Sequence, residues 1–211
     1  YRIGLLLTAI APSGIMMLAI SRFVPNKDYN LILSNFLFTT FGSILYIPLM
    51  LQWLIGAEIQ IKIAHLFFQT ATLVLVPYVS SEIMKRALSG NGTAIMKKYT
   101  QGVILIAVFI IAGVSISAAA QELMWDRTLI RLALLALSIF LLQGGLAYLA
   151  GLLFWDKNIR NTLAMIASSR NNHFVLGIAV MNFPPIVVVP CMLGIIFHHT
   201  TNAFWVWLFR K

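Results

Sequence analysis

Charge is scarce in this chain, and acid is scarcer still. Of its 211 residues 10% are charged, and only six are acidic. A soluble domain carries about 25% charged residues, so a water-soluble globular fold is excluded and a polytopic membrane protein is the class that remains. There is one cysteine, Cys191, inside an apolar run; it cannot form an intramolecular disulfide and reads as a small hydrophobe. No phosphate loop, zinc signature or nucleophile elbow occurs, so an enzyme is not expected. His198 and His199 have no carboxylate or cysteine at ligand spacing, so neither is a metal site. The net charge of +9 does not point to nucleic acid. The basic residues sit in short connections between apolar runs, where positive-inside topology puts them. No signal peptide is visible; the chain starts at Tyr1 and enters an apolar segment almost at once.

What the chain has in abundance is apolar length. It is 60% hydrophobic, and seven segments can be drawn, at about 3–20, 30–53, 61–84, 101–120, 129–155, 159–182 and 184–209. Each is near the ~20 residues a helix needs to cross the hydrocarbon, and none alternates as a barrel strand does. The loops give an orientation. Lys85, Arg86, Lys97 and Lys98 lie between the third and fourth segments, and alternation puts Arg22, Lys27, Lys157, Arg160, Arg210 and Lys211 on the same side. That side, with the C-terminus, is expected to be cytoplasmic. Arg2, Lys62, Arg127 and Arg131 fall opposite. Trp53, Trp125, Trp155, Trp205 and Trp207 all fall near segment ends, as interfacial anchors do.

Polar residues inside the segments are the candidates for function. The run "ASSRNNHF" puts Ser168, Ser169, Arg170, Asn171 and Asn172 in mid-span. An arginine there costs at least about 2.5–3.5 kcal/mol on insertion scales. The six acids (Asp28, Glu58, Glu82, Glu122, Asp126 and Asp156) all fall at or near loops, so none is placed to pair with it. Arg170 either lines a site as a fixed positive charge, or neutralises helix-end carbonyls or snorkels to an interface. A polar run of this length covers every face of a helix, so the segment is expected to be broken, with backbone groups open to a polar interior, as at the midplane sites of secondary transporters. The first segment has its own interruption at "APSG". Pro12 removes a donor and disfavours helix at Ala11, and Gly14, next to Ser13, loosens the turn.

The second segment carries Ser34, Asn35, Thr39, Thr40 and Ser43, with 35, 39 and 43 on one helical stripe and 36 and 40 on another. Such hydroxyls bind an ion or substrate, or bond their own backbone or a neighbouring helix. His65 and Gln69 are an i,i+4 pair suited to joining helices, and "HHTTN" at 198–202 is a polar interruption in the seventh segment.

These stretches, in this order, resemble the bile acid:sodium symporter family and its wider superfamily with the arsenite exporters. "APSG" resembles the opening of that family's broken fourth helix, and "TTFGSILYIP" the hydroxyl-then-proline pattern of its fifth. "LVPYVSSEIMKR" resembles the end of the sixth helix, "LLQGGLAYLAGLLF" the glycine-rich eighth, "RNTLAMIASSRNNHFVLGIAV" the ninth, and "NAFWVWLFRK" the end of the tenth. The resemblance implies an all-α polytopic membrane protein. The family fold has ten helices in two inverted repeats, with the discontinuous fourth and ninth helices crossing at the centre. The seven segments would be helices four to ten of a single transmembrane domain, 1–211, with three further helices expected ahead of Tyr1.

The resemblance also implies a secondary transporter working by alternating access, in a plasma (inner) membrane or an organelle inner membrane. It would carry small organic anions such as bile acids, pantoate-like acids or pyruvate, or oxyanions. No cofactor is implied beyond sodium, and the sodium ligands are largely missing. A serine–asparagine pair of the sodium-coupled members is matched here by Met17 and Leu18, and their glutamate and glutamine by Ala167 and Asn171. Thr39, Thr40 and Ser43 remain. The expectation is a transporter not coupled to sodium in the conventional way, with Arg170 supplying permanently the charge that bound sodium supplies transiently. The alternative is a transport-inactive subunit on the same fold, with a structural, assembly or sensing role among protein partners in a membrane complex.

Overall fold

The structure, a computed structural model, describes residues 1–14, 16–25, 27–56, 62–87, 127–154 and 157–210, with isolated helical positions at 106, 110, 113, 114 and 117. The predicted fourth segment, 101–120, otherwise lies outside the described residues, as do Trp125, Trp155, Lys97 and Lys98.

The chain is an all-α integral membrane protein. The helices are α1 (Arg2–Ile10), α2 (Met16–Ile20), α3 (Tyr29–Ile55), α4 (Ile63–Ala87), α5 (Arg127–Phe154), α6 (Lys157–Ser168), α7 (Asn172–Asn182) and α8 (Val188–Phe209). Short 3₁₀ turns lie at Ser21–Phe23 and Pro185–Val187. Among the described residues, four stretches are long and apolar enough to cross a membrane: Tyr29–Ile55, Ile63–Ala87, Arg127–Leu153 and Pro185–Phe209. Large apolar side chains point outward along them, Phe38 at 80% and Leu153 at 78% exposure. In water such faces would be costly; in lipid they are the solvated surface.

Local chemistry sets the boundaries. Asp28 caps α3 by accepting from the Leu31 amide at 3.0 Å, and its own amide donates to Thr162 Oγ1 at 2.9 Å, tying the start of α3 to α6. Pro48 and Pro77 lie inside α3 and α4 and each removes one intrahelical donor, which membrane helices tolerate when neighbouring helices re-satisfy the freed groups.

The two ends of the bundle are distinct. At one end Arg210 donates to the Phe23 carbonyl at 3.2 Å and lies 5.6 Å over its ring, and Arg160 lies 4.9 Å over Tyr148. The α2–α3 turn, the start of α6 and the end of α8 therefore gather there. At the other end Gly4 of α1 packs against the Val187 carbonyl and Pro190, and Leu129 of α5 packs with Val189 and Met192. An apolar cluster fills each half. One joins Leu7, Ile47, Leu51, Val175, Leu176 and Cys191. The other joins Val24, Ala164, Met165, Trp205 and Phe209.

Trp205 departs from the interfacial expectation. It is buried and stacks on Tyr148 and Phe209. Gly144 makes the room, since a Cβ there would fall 2.6 Å from the indole nitrogen. Trp53 and Trp207 are exposed, as anchors are. The "HHTTN" stretch does not interrupt anything: α8 runs through it unbroken.

Candidate functional site: two helix breaks that cross

Both predicted breaks are present. Helix α1 ends at Ile10, and Ala11 takes φ −54°, ψ 141°, the extended geometry a following proline imposes. Helix α6 ends at Ser168, and the chain stays non-helical through Ser169, Arg170 and Asn171 before α7 begins. Asn171 caps α7 by accepting from the Phe174 amide at 3.2 Å. With nine residues in α1 and twelve in α6, at ~1.5 Å per residue, each half-helix covers about 14–18 Å, roughly half of a ~30 Å hydrocarbon core.

The two breaks meet. Ser13 and Arg170 form an antiparallel bridge. The Gly14 amide donates to the Ser169 carbonyl at 3.0 Å, and the Asn171 amide donates to the Pro12 carbonyl at 2.7 Å. Each broken helix thus supplies the backbone partners that the other lost, which a low-dielectric interior requires. Gly14 permits the approach, because a Cβ there would lie 3.1 Å from the Arg170 carbonyl oxygen. Here the structure corrects the expectation of backbone groups open to a polar interior. These backbone groups are spent on each other instead of standing open to a polar interior, and Ser13, Ser168 and Ser169 are 0%, 0% and 1% exposed.

Arg170 sits at the crossing. Its Nε donates to Gln143 Oε1 at 3.3 Å and its Nη1 to the Ala11 carbonyl at 3.3 Å. Gln143 from α5 in turn donates to the Ala9 carbonyl at 2.9 Å. The guanidinium therefore rests at the C-terminal end of α1, where free carbonyls and the helix dipole favour a cation. It neutralises helix-end carbonyls, yet its acceptors are neutral, and among the described residues no carboxylate bonds to it.

Neighbouring helices pin both breaks. From α3, Thr39 Oγ1 accepts from the Ser13 amide at 3.1 Å, and the Ser13 hydroxyl donates to Asn35 Oδ1 at 2.5 Å. Thr39 and Asn35 are on the predicted stripe, but Ser43, also on it, donates to the Thr40 carbonyl at 2.6 Å, and Thr40 Oγ1 is buried without a partner; neither bonds to a break. Ser168 donates back to the Met165 carbonyl. From α8, Asn202 donates to Ser169 Oγ at 3.3 Å, and the Gly194 carbonyl accepts from Asn172 Nδ2 at 3.3 Å. His65 and Gln69 bond each other at 2.9 Å on an exposed face of α4.

The residues missed by sequence reasoning are Gln143, Gly194 and Asn202. For the last two a signal existed: Gly194, His198 and Asn202 recur every four residues on α8, one stripe of a helix. Met17, matched by the resemblance to a sodium ligand, is fully buried in an apolar cluster with Ile32 and Ile166. Among the described residues no group of three histidines, cysteines or acids is arranged to hold a metal ion. No protein-family model matches the chain, and no curated protein matches it.

Proposed function

We propose that the protein is a secondary transporter of small organic anions, working by alternating access and without conventional sodium coupling. One observation carries the reading: two helix breaks cross, each after a helix of about half the length that spans a bilayer, and an arginine that no described carboxylate bonds is fixed at the crossing. Half-helices meeting at the midplane, with dipoles aimed inward, are the construction that secondary transporters use for substrate. The helix–break–helix–long helix pattern occurs twice, in α1–α3 and α6–α8, and the two copies meet antiparallel. This supports the inverted-repeat architecture of ten helices that the sequence resemblance implies. The end carrying Arg22, Lys27, Arg160 and Arg210 is the cytoplasmic one in this reading, by the positive-inside rule.

Sodium fits poorly. A hard cation needs oxygen ligands, and Met17 offers a thioether packed among aliphatic side chains, while the guanidinium of Arg170 would repel it. The anion takes the guanidinium directly. Ser13, Ser169, Asn171, Asn172 and Thr39 line the crossing around it, with Pro12 and Gly14 shaping the opposing chain. Opening would exchange the contacts of Arg170 with Gln143 and Ala11 for contacts with substrate. The test is uptake of radiolabelled taurocholate, pantoate and pyruvate by the full chain in sodium-free proteoliposomes. Sodium-independent flux, reduced to the empty-liposome level by Arg170→Ala, is the expected result; flux driven strictly by sodium contradicts it.

A second reading is favoured by the closed crossing. With the backbone groups paired and the guanidinium satisfied by the chain itself, the same structure suits a transport-inactive subunit that serves assembly or sensing. A stable protein partner on purification, with no flux of any anion, would favour that reading.

A further inference from the structure

Three of the four histidines of this chain meet at one place beside the crossing. His198 and His199 on α8 have ring centroids 3.9 Å apart, and His173, near the start of α7, approaches His198 edge-on at 6.5 Å. His198 is 2% exposed, and its Nδ1 makes no hydrogen bond. It is flanked on its own stripe by Gly194 and Asn202, the two α8 residues that bond to the second break. Asn172 Oδ1 and Asn202 Oδ1 are also buried without a partner. Three buried polar atoms thus lie along this seam without a hydrogen-bond partner. The described residues offer no metal-binding group.

We infer that His198, with His173 and His199 against it, is a proton-binding site, and that the proton it carries accompanies the anion in place of sodium. The inference rests on the transporter reading above. In the outward-open state an imidazole nitrogen takes a proton from water, forming one N–H bond. In the inward-open state that bond breaks to water on the other side. One proton moving with one monovalent anion leaves no net charge transferred. The groups that face the site are His173 from α7, His199 from α8 itself and Phe140 from α5 at 6.3 Å, which is not ionisable. Two imidazolium charges a few ångströms apart in a low-dielectric site repel strongly. The cluster therefore holds one proton, shared as a coupled unit.

The test uses the full chain in sodium-free proteoliposomes enclosing pyranine, with taurocholate, pantoate and pyruvate as probes and empty liposomes as the background. Uptake is expected to acidify the lumen, and lowering the external pH from ~7.5 to ~5.5 should raise its initial rate by about tenfold or more, since a required proton gives up to tenfold per pH unit. His198→Gln should leave uptake independent of pH and abolish luminal acidification. His173→Gln should shift the pH profile, and His65→Gln, outside the cluster, should change neither. Wild-type uptake without a luminal pH change, or undiminished acidification in His198→Gln, overturns the inference while leaving the transporter reading intact.

If no probe moves in the wild type, the transporter reading falls. The proton site is then decided by binding, with ¹⁵N-histidine-labelled protein in nanodiscs between pH 8 and 4. His173 and His198 titrating together, with His198→Gln altering the His173 signal, supports the site. Rings that all stay neutral across that range, as they would if only water filled the seam, overturn it.

Discussion

The two breaks are made by different chemistry. The first, at Pro12–Ser13–Gly14, is a backbone device. A proline forces the chain out of helix, a glycine lets the Arg170 carbonyl of the second break approach within 3.1 Å of where its Cβ would be, and its neighbours present the carbonyls of Ala9, Ala11 and Pro12. The second, at Ser169–Arg170–Asn171, is a side-chain device. It has neither proline nor glycine, and it brings a guanidinium, a hydroxyl and capping amides. One break supplies shape and partial negative charge, and the other supplies full positive charge. Neither is stable alone in a membrane, because each would leave backbone groups unpaired. Together they close each other.

Substitutions can separate these roles. The largest effect is expected from Gly14→Val, which attacks the shape of the first break. Its side chain would force the strands apart and remove the bond from the Gly14 amide to the Ser169 carbonyl. A loss of about 2–4 kcal/mol, from overpacking plus a buried unmade bond, should appear as a fall in thermal stability in detergent, together with loss of uptake. Next is Gln143→Glu, which sets a carboxylate against the guanidinium and also removes the donor that Gln143 gives the Ala9 carbonyl. A carboxylate at the Arg170 Nε would cancel the guanidinium, so anion uptake should vanish, while the new ion pair and the lost bond to Ala9 offset each other in thermal stability to within about 1–2 kcal/mol. Uptake that persists in that variant would mean that the anion does not use the charge of Arg170.

Smaller effects test the pins. Ser13→Ala removes the hydrogen bond to Asn35 and should cost about 1 kcal/mol. In a double-mutant cycle with Asn35→Ala most of that loss should be shared. The smallest change is expected from Thr40→Val, which deletes a buried hydroxyl that has no partner. Stability should be unchanged or slightly raised, and uptake unaffected, since Thr40 bonds to neither break.

The division between the breaks also explains what was legible in the sequence. Pro12 and the polar run at 168–172 announce breaks because their causes are local: a locked φ, and too many polar groups for one helix face. The four long apolar stretches among the described residues are legible from length alone. The crossing partner Gln143 is not, because a single glutamine in a glycine-rich apolar helix gains meaning only when folding brings the Ala9 carbonyl and Arg170 to it. Trp205 was misplaced for the same reason. Its distance from the helix end suggests an interface, while the space left by Gly144, some sixty residues earlier in the chain, decides that it is buried. The α3 hydroxyls divided: Asn35 and Thr39 reach the first break, and Ser43, on the same stripe, bonds its own helix. A stripe fixes direction, not depth.

Everything rests on the two breaks lying against each other. Opposed residues in an antiparallel bridge have Cα atoms about 4.5–5.5 Å apart, within the ~4.4–6.8 Å a disulfide spans. The direct measurement is oxidation of the full chain carrying Ser13→Cys and Arg170→Cys in a Cys191→Ala background, in membranes, followed by mass spectrometry of linked peptides. A near-complete 13–170 crosslink is the expected result. Folded protein in which the two cysteines stay unlinked to each other would contradict the crossing.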